Sequence, residues 1–256
     1  MSNLQGTIPY DFVNVRKLEH LDLHGNEKIT GQLRCCFGNL CKLKTLDLLG
    51  NNFSGNIDGV LGNFSTGLHN NLESLALHSN KLIGKILDSL GIFGSLRQLS
   101  LGYKFFGGSI PASIGKLSSL QLLHLSYKEM NGTIPKSIGK LLELVTLLLD
   151  NNSWEGVITE AHLMNLTRLE DFILNIEKNQ SLVVFNVAYE WVPPFTLKEL
   201  QLESNVVGPR FPIWLQVQSE LKFVNLRNTG ISDNILEEWS LRYLLNSITW
   251  IYPTIK

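Results

Sequence analysis

Cysteine is scarce in this chain: Cys35, Cys36 and Cys41 are the three in 256 residues. They cannot close a disulfide framework, adjacent cysteines seldom bridge each other, and any pairing leaves one thiol over, so the small disulfide-built class is excluded. Net charge is equally thin. With 22 Lys and Arg against 23 Asp and Glu, a formal −1, nothing draws the chain to nucleic acid or to an anionic membrane. No uninterrupted apolar run of about 18 residues exists, and no charged start leads into an apolar core, so neither a membrane helix nor a secretory leader is read. Catalytic signatures are missing as well. There is no HExxH, CxxC, GxSxG or kinase catalytic loop, and the Gly-Lys pairs at Gly84, Gly115 and Gly139 lack P-loop spacing and are followed by Ile or Leu. An enzyme is therefore not expected, nor a cofactor or metal site.

Leucine at fixed spacing is what the chain has in abundance. The stretch Leu18–Asn26, LEHLDLHGN, is the first of nine copies of LxxLxLxxN, with later starts at Leu43, Leu72, Leu96, Leu120, Leu144, Leu169, Leu197 and Leu221. Successive starts are 25, 29, 24, 24, 24, 25, 28 and 24 residues apart, and of 27 apolar slots all but Phe172 and Val224 are Leu. A period of this length marks a leucine-rich-repeat solenoid. Within a copy the last two Leu point to one face of a short strand, which cannot bury them alone; stacking copies in register builds a parallel sheet over a continuous Leu core. Asn at the ninth position satisfies backbone groups where the chain leaves the strand. Asn26, Asn51, Asn80, Asn152 and Asn205 keep it, whereas Lys104, Lys128, Glu177 and Thr229 do not.

The fold class expected is α/β, a solenoid with a concave parallel β-sheet and short helical turns on the convex side. It forms one elongated unit over residues 1–236, about nine full repeats, followed by a non-repeat tail at 237–256. Residues 1–17 hold the back half of a copy whose strand is missing, which suggests a truncated chain. The back-half phrase Gly-x-Ile-Pro recurs at Gly108–Pro111 and Gly132–Pro135, with weaker forms at Gly31, Gly55, Gly84 and Gly156, and reads as a second short strand closed by Pro. Stretches such as Ser113–Ser119 and Ser137–Glu143 then supply one helical turn. The second copy carries a polar insertion at Gly62–Asn71. The seventh, 169–196, is irregular: it decays after Leu174 and is broken by Pro193 and Pro194. It is read as an irregular repeat, the alternative being a ligand-binding island. In the tail, Trp239, Tyr243, Leu244, Leu245, Trp250 and Ile251 are numerous enough to plug an open end.

Alternation puts the residues between the leucines on a wet face. The slot between the last two Leu carries Asp22, Asp47, Ala76, Ser100, His124, Leu148, Ile173, Gln201 and Asn225; two slots on come His24, Leu49, His78, Gly102, Ser126, Asp150, Asn175, Glu203 and Arg227. One further slot gives Tyr103 and Tyr127 in adjacent copies. Neighbouring strands lie about 4.8 Å apart, so those rings could stack. With His124 and Asp150 they form the expected ligand-binding patch, since aromatic side chains with a polar tip recur at binding hot spots. Lys104 and Lys128 follow the two Tyr; decay of the Asn row explains them, with a basic ligand-binding pair as the alternative. His24 and His78 share a slot two copies apart, roughly 9–10 Å, too far for shared metal coordination.

The Leu-rich strand followed by LxGxIPxxLGxL is similar to plant extracellular leucine-rich-repeat receptors. Three phrases narrow this: Trp191-Val-Pro-Pro-Phe195, Phe211-Pro-Ile-Trp-Leu-Gln-Val-Gln218 and Asn228-Thr-Gly-Ile-Ser-Asp233, with Asn39-Leu-Cys41 beside them. In that order they resemble the receptor-like proteins of plant immunity, the group that includes receptors for a fungal xylanase elicitor. The resemblance implies a partial ectodomain on the extracellular side of the plasma membrane. It would sense a protein, peptide or glycan elicitor and signal through leucine-rich-repeat receptor kinases as co-receptors. A signal peptide, a paired-Cys amino-terminal cap, a carboxy-terminal cap and a transmembrane segment, all present in that group, are not found in these residues. Six sequons, Asn52, Asn63, Asn131, Asn151, Asn165 and Asn179, fit an extracellular glycoprotein. An inhibitor of an extracellular hydrolase, of the polygalacturonase-inhibitor kind, and a truncated remnant without function are the alternatives.

Overall fold

The computed structural model describes residues 4–33, 40–58, 71–102, 107–127, 129–176, 182–233 and 249–251. Every LxxLxLxxN copy contributes its third to fifth residues as a strand: His20–Asp22, Thr45–Asp47, Ser74–Ala76, Gln98–Ser100, Leu122–His124, Thr146–Leu148, Asp171–Ile173, Glu199–Gln201 and Phe223–Asn225. These pair in parallel and in chain order, with Leu21 opposite Leu46, Leu46 opposite Leu75, and Leu200 opposite Val224. Register is thus set copy against copy by the Leu slot, because a slip of one residue would turn every Leu to water. A tenth strand, Thr249–Ile251, joins beyond Phe223–Asn225 with Trp250 opposite Val224. It falls where the sequence shows no further copy, since Trp stands in the slot that Leu marks elsewhere.

Behind the sheet the apolar slots close into one core. All of them are buried except Leu18 and Leu23, which belong to the first copy and pack against the core from its end. Two four-stranded parallel sheets flank it, Gln5–Thr7, Lys28–Gln32, Asn52–Asn56 and Lys81–Ile83 in one, and Gly107–Gly108, Glu129–Thr133, Ser153–Ile158 and Val183–Phe185 in the other. These are the second strands that the Gly-x-Ile phrase announces. Gly156 shows why Gly recurs: its φ is +95°, and a Cβ there would meet Thr133 Cγ2 at 2.9 Å. Val183–Phe185, inside the irregular seventh copy, pairs with Gly156–Ile158 although the phrase is gone.

Opposite the long sheet run single helical turns, of which Asp88–Ile92, Ala112–Lys116, Lys136–Lys140 and the α-helical turn Glu160–Leu163 stack on one another. Pro111 and Pro135 start two of them, their fixed φ suiting the residue before the turn. The turns sit close: a Cβ on Gly115 would meet Ser137 O at 2.6 Å. His162 anchors the last. Its Nε2 lies 3.2 Å from Ile134 O and so donates, which leaves Nδ1 to accept from Thr159 N at 3.0 Å.

The ninth-position Asn ties copy to copy. Asn152, 3% exposed, donates from Nδ2 to Leu149 O at 3.0 Å in its own copy and to Leu125 O at 2.8 Å in the preceding one, and accepts from Met130 N at 3.3 Å. Asn80 repeats this on Leu77 O, Leu48 O and Phe53 N. Among the described residues the Thr229 side chain keeps the bond within its copy, to Leu226 O at 2.8 Å, without one to the preceding copy. Asn152→Ala should therefore destabilise the chain by about 1–3 kcal/mol in urea unfolding, since buried carbonyls lose their donor; an unchanged midpoint would contradict this.

A pH dependence follows from His162. Burial pushes its imidazole below the ordinary 6.5, so the unfolded chain protonates first. Its contribution to stability is full above that value and is lost as pH falls below it. His162→Gln should flatten the loss of stability between neutral pH and pH 5 relative to wild type; identical slopes would contradict the assignment.

Candidate ligand-recognition surface

Third, fifth and seventh residues of each copy line the concave sheet face, and hydrogen bonds between neighbouring copies hold many of them in place. In the first copy Asp22 Oδ1 accepts from His24 N at 3.0 Å and lies 2.6 Å from His24 Nδ1; the amide and then the imidazole hold the carboxyl below its usual range, and the contact with Asp22 holds the imidazole above its own. With Asp47 these form a group whose ligand atoms lie within 4.8 Å of one another. Their carboxylates already accept turn amides, His24 N at 3.0 Å and Leu49 N at 3.0 Å. Exposed Asx turns of this kind need no ion.

The middle of the face is more constrained. Ser100 Oγ lies 2.7 Å from His78 Nδ1 and 3.1 Å from His124 Nδ1, and the two rings are 5.2 Å apart. A hydroxyl has one proton to give and two lone pairs, so at most one of the two rings accepts from Ser100 and the other donates to it. Gly102 makes the room: a Cβ there would meet His124 Nε2 at 3.0 Å. One copy on, Ser126 Oγ donates to Asp150 Oδ1, and Asn151 Nδ2 donates to Asp150 Oδ2 at 2.6 Å. Ser126 and Asp150 are buried. Between and beyond these networks lie the half-buried Leu122, Leu148 and Ile173.

Tyr127 stands at a backbone position that suits it poorly. Its φ is +57°, and in other copies the same slot is taken by Gly25, Gly50, Ser79, Asn151, Ser204 and Asn228, all with positive φ. A left-handed conformation is tolerated by Gly and Asn and strains an aromatic residue. Its N–H bonds Asp150 O at 3.0 Å, while the side chain is 53% exposed. A large ring is thus held out at the rim of the sheet against local preference.

Of the four residues expected to form the patch, His124, Tyr127 and Asp150 lie on adjacent copies of this face; Tyr103 is outside the described residues, as are Lys104 and Lys128. His124 is engaged with Ser100 and His78, and Asp150 with Ser126 and Asn151. The roles of Ser100 and Ser126 and the pairing of His78 with His124 do not follow from the slot pattern. A diagonal between slots of copies two apart joins the two His, and their separation depends on side-chain direction. Among the sequons, Asn131 and Asn165 are exposed, Asn52 and Asn151 half-buried, and Asn63 and Asn179 outside the described residues.

The comparisons agree with this architecture. The Leucine Rich Repeat family profile matches residues 42–64, and the structure is a leucine-rich-repeat solenoid of the kind found in plant receptor ectodomains. The receptor-like protein EIX2 of Solanum lycopersicum is 39% identical over 85 residues, 33% of this chain and 8% of that protein. The ectodomain of the Arabidopsis receptor kinase HAESA, in complex with an extended IDA peptide hormone, superposes with a TM-score of 0.72 at 26% identity, over 91% of this chain and 40% of that one. The PEPR1–AtPEP1 complex superposes at 0.75 over 92% of this chain and 33% of that one; at 23% identity it shows the fold alone. This chain matches only a minor part of the length of each. Among the described residues no helix is long and apolar enough to cross a membrane.

Strain at Tyr127 is measurable. Tyr127→Asn should raise stability by about 1 kcal/mol, because Asn accepts the left-handed region that Tyr resists. A lowered urea midpoint would show that the ring is held there by packing and not against a cost.

Proposed function

We propose that this chain is a ligand-recognition segment of a plant cell-surface immune receptor-like protein. It binds its elicitor on the concave face around His124, Tyr127 and Asp150, on the extracellular side of the plasma membrane. Signalling passes through leucine-rich-repeat receptor kinases as co-receptors. The observation that carries the reading is Tyr127, an exposed aromatic held in a strained backbone conformation beside pre-ordered polar groups. Strain kept at a surface points to a function that uses it, and rigid aromatics supply contact area at little entropy cost. The similarity to the receptor-like protein EIX2 supports a receptor role, and the peptide hormone seated on the HAESA ectodomain supports a peptide ligand.

Charge narrows the ligand further. From the sixth copy on, the face presents Asp150, Asp171, Glu199 and Glu203, whereas Arg227 is the cation in the same slots and lies 3.6 Å from Glu203. Leu148, Ile173 and Phe223 are interspersed. A basic segment carrying an apolar side chain suits this surface, and its binding should weaken with added salt. Exposed Asn131 and Asn165 are the sequons best placed for glycans, while a glycan on Asn151 would break its bond to Asp150 and cover the rim.

Binding of a purified fungal xylanase elicitor to the secreted ectodomain, measured by calorimetry, provides the test. Tyr127→Ala and Asp150→Asn should each weaken it at least about tenfold, the loss expected of a hot spot, with melting temperature nearly unchanged. Undiminished affinity in both variants would remove the concave patch from the reading. Inhibition of a secreted polygalacturonase without co-receptor recruitment would make the chain an inhibitor instead.

A further inference from the structure

Away from the concave face, the irregular seventh copy and the eighth enclose a cavity of about 260 Å³. None of its lining residues belongs to the concave strands. Phe185, Val187, Val207 and Pro212 supply apolar wall, and Trp214 closes one side. Trp214 is 3% exposed and its ring is backed by Trp191, 6.5 Å away, which packs in turn on Phe195 at 6.1 Å. The aromatic wall is therefore rigid. Two further lining residues mark a mouth, where Arg210 Cζ lies 5.3 Å over the ring of Tyr189 and both side chains are exposed.

The polar groups of this cavity are unbalanced. Trp214 Nε1 is buried with no hydrogen-bond acceptor among the described residues, and Arg210 forms no ion pair among them. Both are donors. No Asp, Glu, Asn, Gln, Ser or Thr lines the cavity, so no carboxylate or amide side chain of the lining meets them. Arg210, exposed at the mouth, is the donor that an occupant's acceptor reaches, while Trp214 Nε1 lies in the buried wall. A guanidinium beside an aromatic face recognises planar anions better than point charges.

We propose that this cavity is a binding site for a small aromatic carboxylate. The ring lies between Phe185, Val207 and Trp214, and the carboxylate is met by Arg210 at the mouth. The volume holds one or two fused rings; an apolar cavity of about 150 Å³ already accommodates benzene. The site is independent of the elicitor surface, and binding here does not require the concave patch.

Calorimetry on the intact chain with 2-naphthoate, and with 2-naphthamide as the neutral isostere, tests the assignment. Wild type should bind 2-naphthoate saturably at one site. Arg210→Gln, a surface change that leaves the wall intact, should weaken naphthoate about tenfold or more and naphthamide less than about threefold. Val207→Trp, which fills the cavity, should abolish binding of both, with circular dichroism confirming the fold. Absence of saturable naphthoate binding to wild type would overturn the proposal, as would equal losses for the two probes in Arg210→Gln. Because Tyr127→Ala leaves this cavity untouched, naphthoate binding should survive in that variant; its loss there would likewise contradict the site.

Discussion

Three-residue parallel strands cannot stand alone, and everything in this chain depends on how one copy's backbone is satisfied by the next. Each interior strand borrows its hydrogen bonds from two neighbours, and where Asn follows it the side chain reaches back to the carbonyl that the turn would otherwise leave buried and bare. Asn152 on Leu125 O and Asn80 on Leu48 O are that link at two places in the sheet. Burial of the Leu slots supplies the driving force, but it is non-directional. The Asn bond and the register of Leu on Leu make the stack regular, and a regular stack makes one smooth face on which side chains from copies far apart in sequence become neighbours.

Most of the fold is legible in the amino-acid sequence, because its signals are periodic and each has one physical cause. The nine Leu triads correspond to nine strands in one position of the copy, and the Gly-x-Ile phrase to the flanking strands, since a positive φ restricts that place to Gly. Legibility fails where a residue meets the same geometry with different chemistry. Trp250 occupies the central slot of the tenth strand and hides it from a Leu count. Val183–Phe185 makes a flanking strand with neither Gly nor Pro to announce it. The left-handed slot at Tyr127 does carry a signal, as six of the residues aligned with it are Gly, Ser or Asn, which suit turns and tolerate such a conformation, with Tyr103 and Ile176 as the exceptions.

Functional geometry is less accessible. Slot counting places His124 and Asp150 on one face by alternation, and Tyr127 one slot further on, beyond the strand. Which of them touch is a matter of rotamer and neighbour size: Gly102 admits the His124 ring toward Ser100, and no spacing rule carries that. The cavity beside Trp214 is harder still. Its walls come from two copies whose connecting segment is irregular, and its defining feature, an indole N–H without an acceptor, exists only after packing. Regular repeats thus show their concave face in the sequence, whereas an irregular repeat shows its pocket only once folded.

The two proposed surfaces differ in chemistry: an extended acidic and apolar face, and an aromatic-walled cavity with Arg210 at its open mouth. Amide hydrogen exchange of this chain, with and without the fungal xylanase elicitor, tests most directly whether the concave face is the recognition surface. Protection should appear at the strand ends and turns around residues 100–102, 124–127 and 148–151 while the convex turns at 112–116 and 136–140 exchange as before. Protection confined to the convex turns, with the concave turns unchanged, would contradict it.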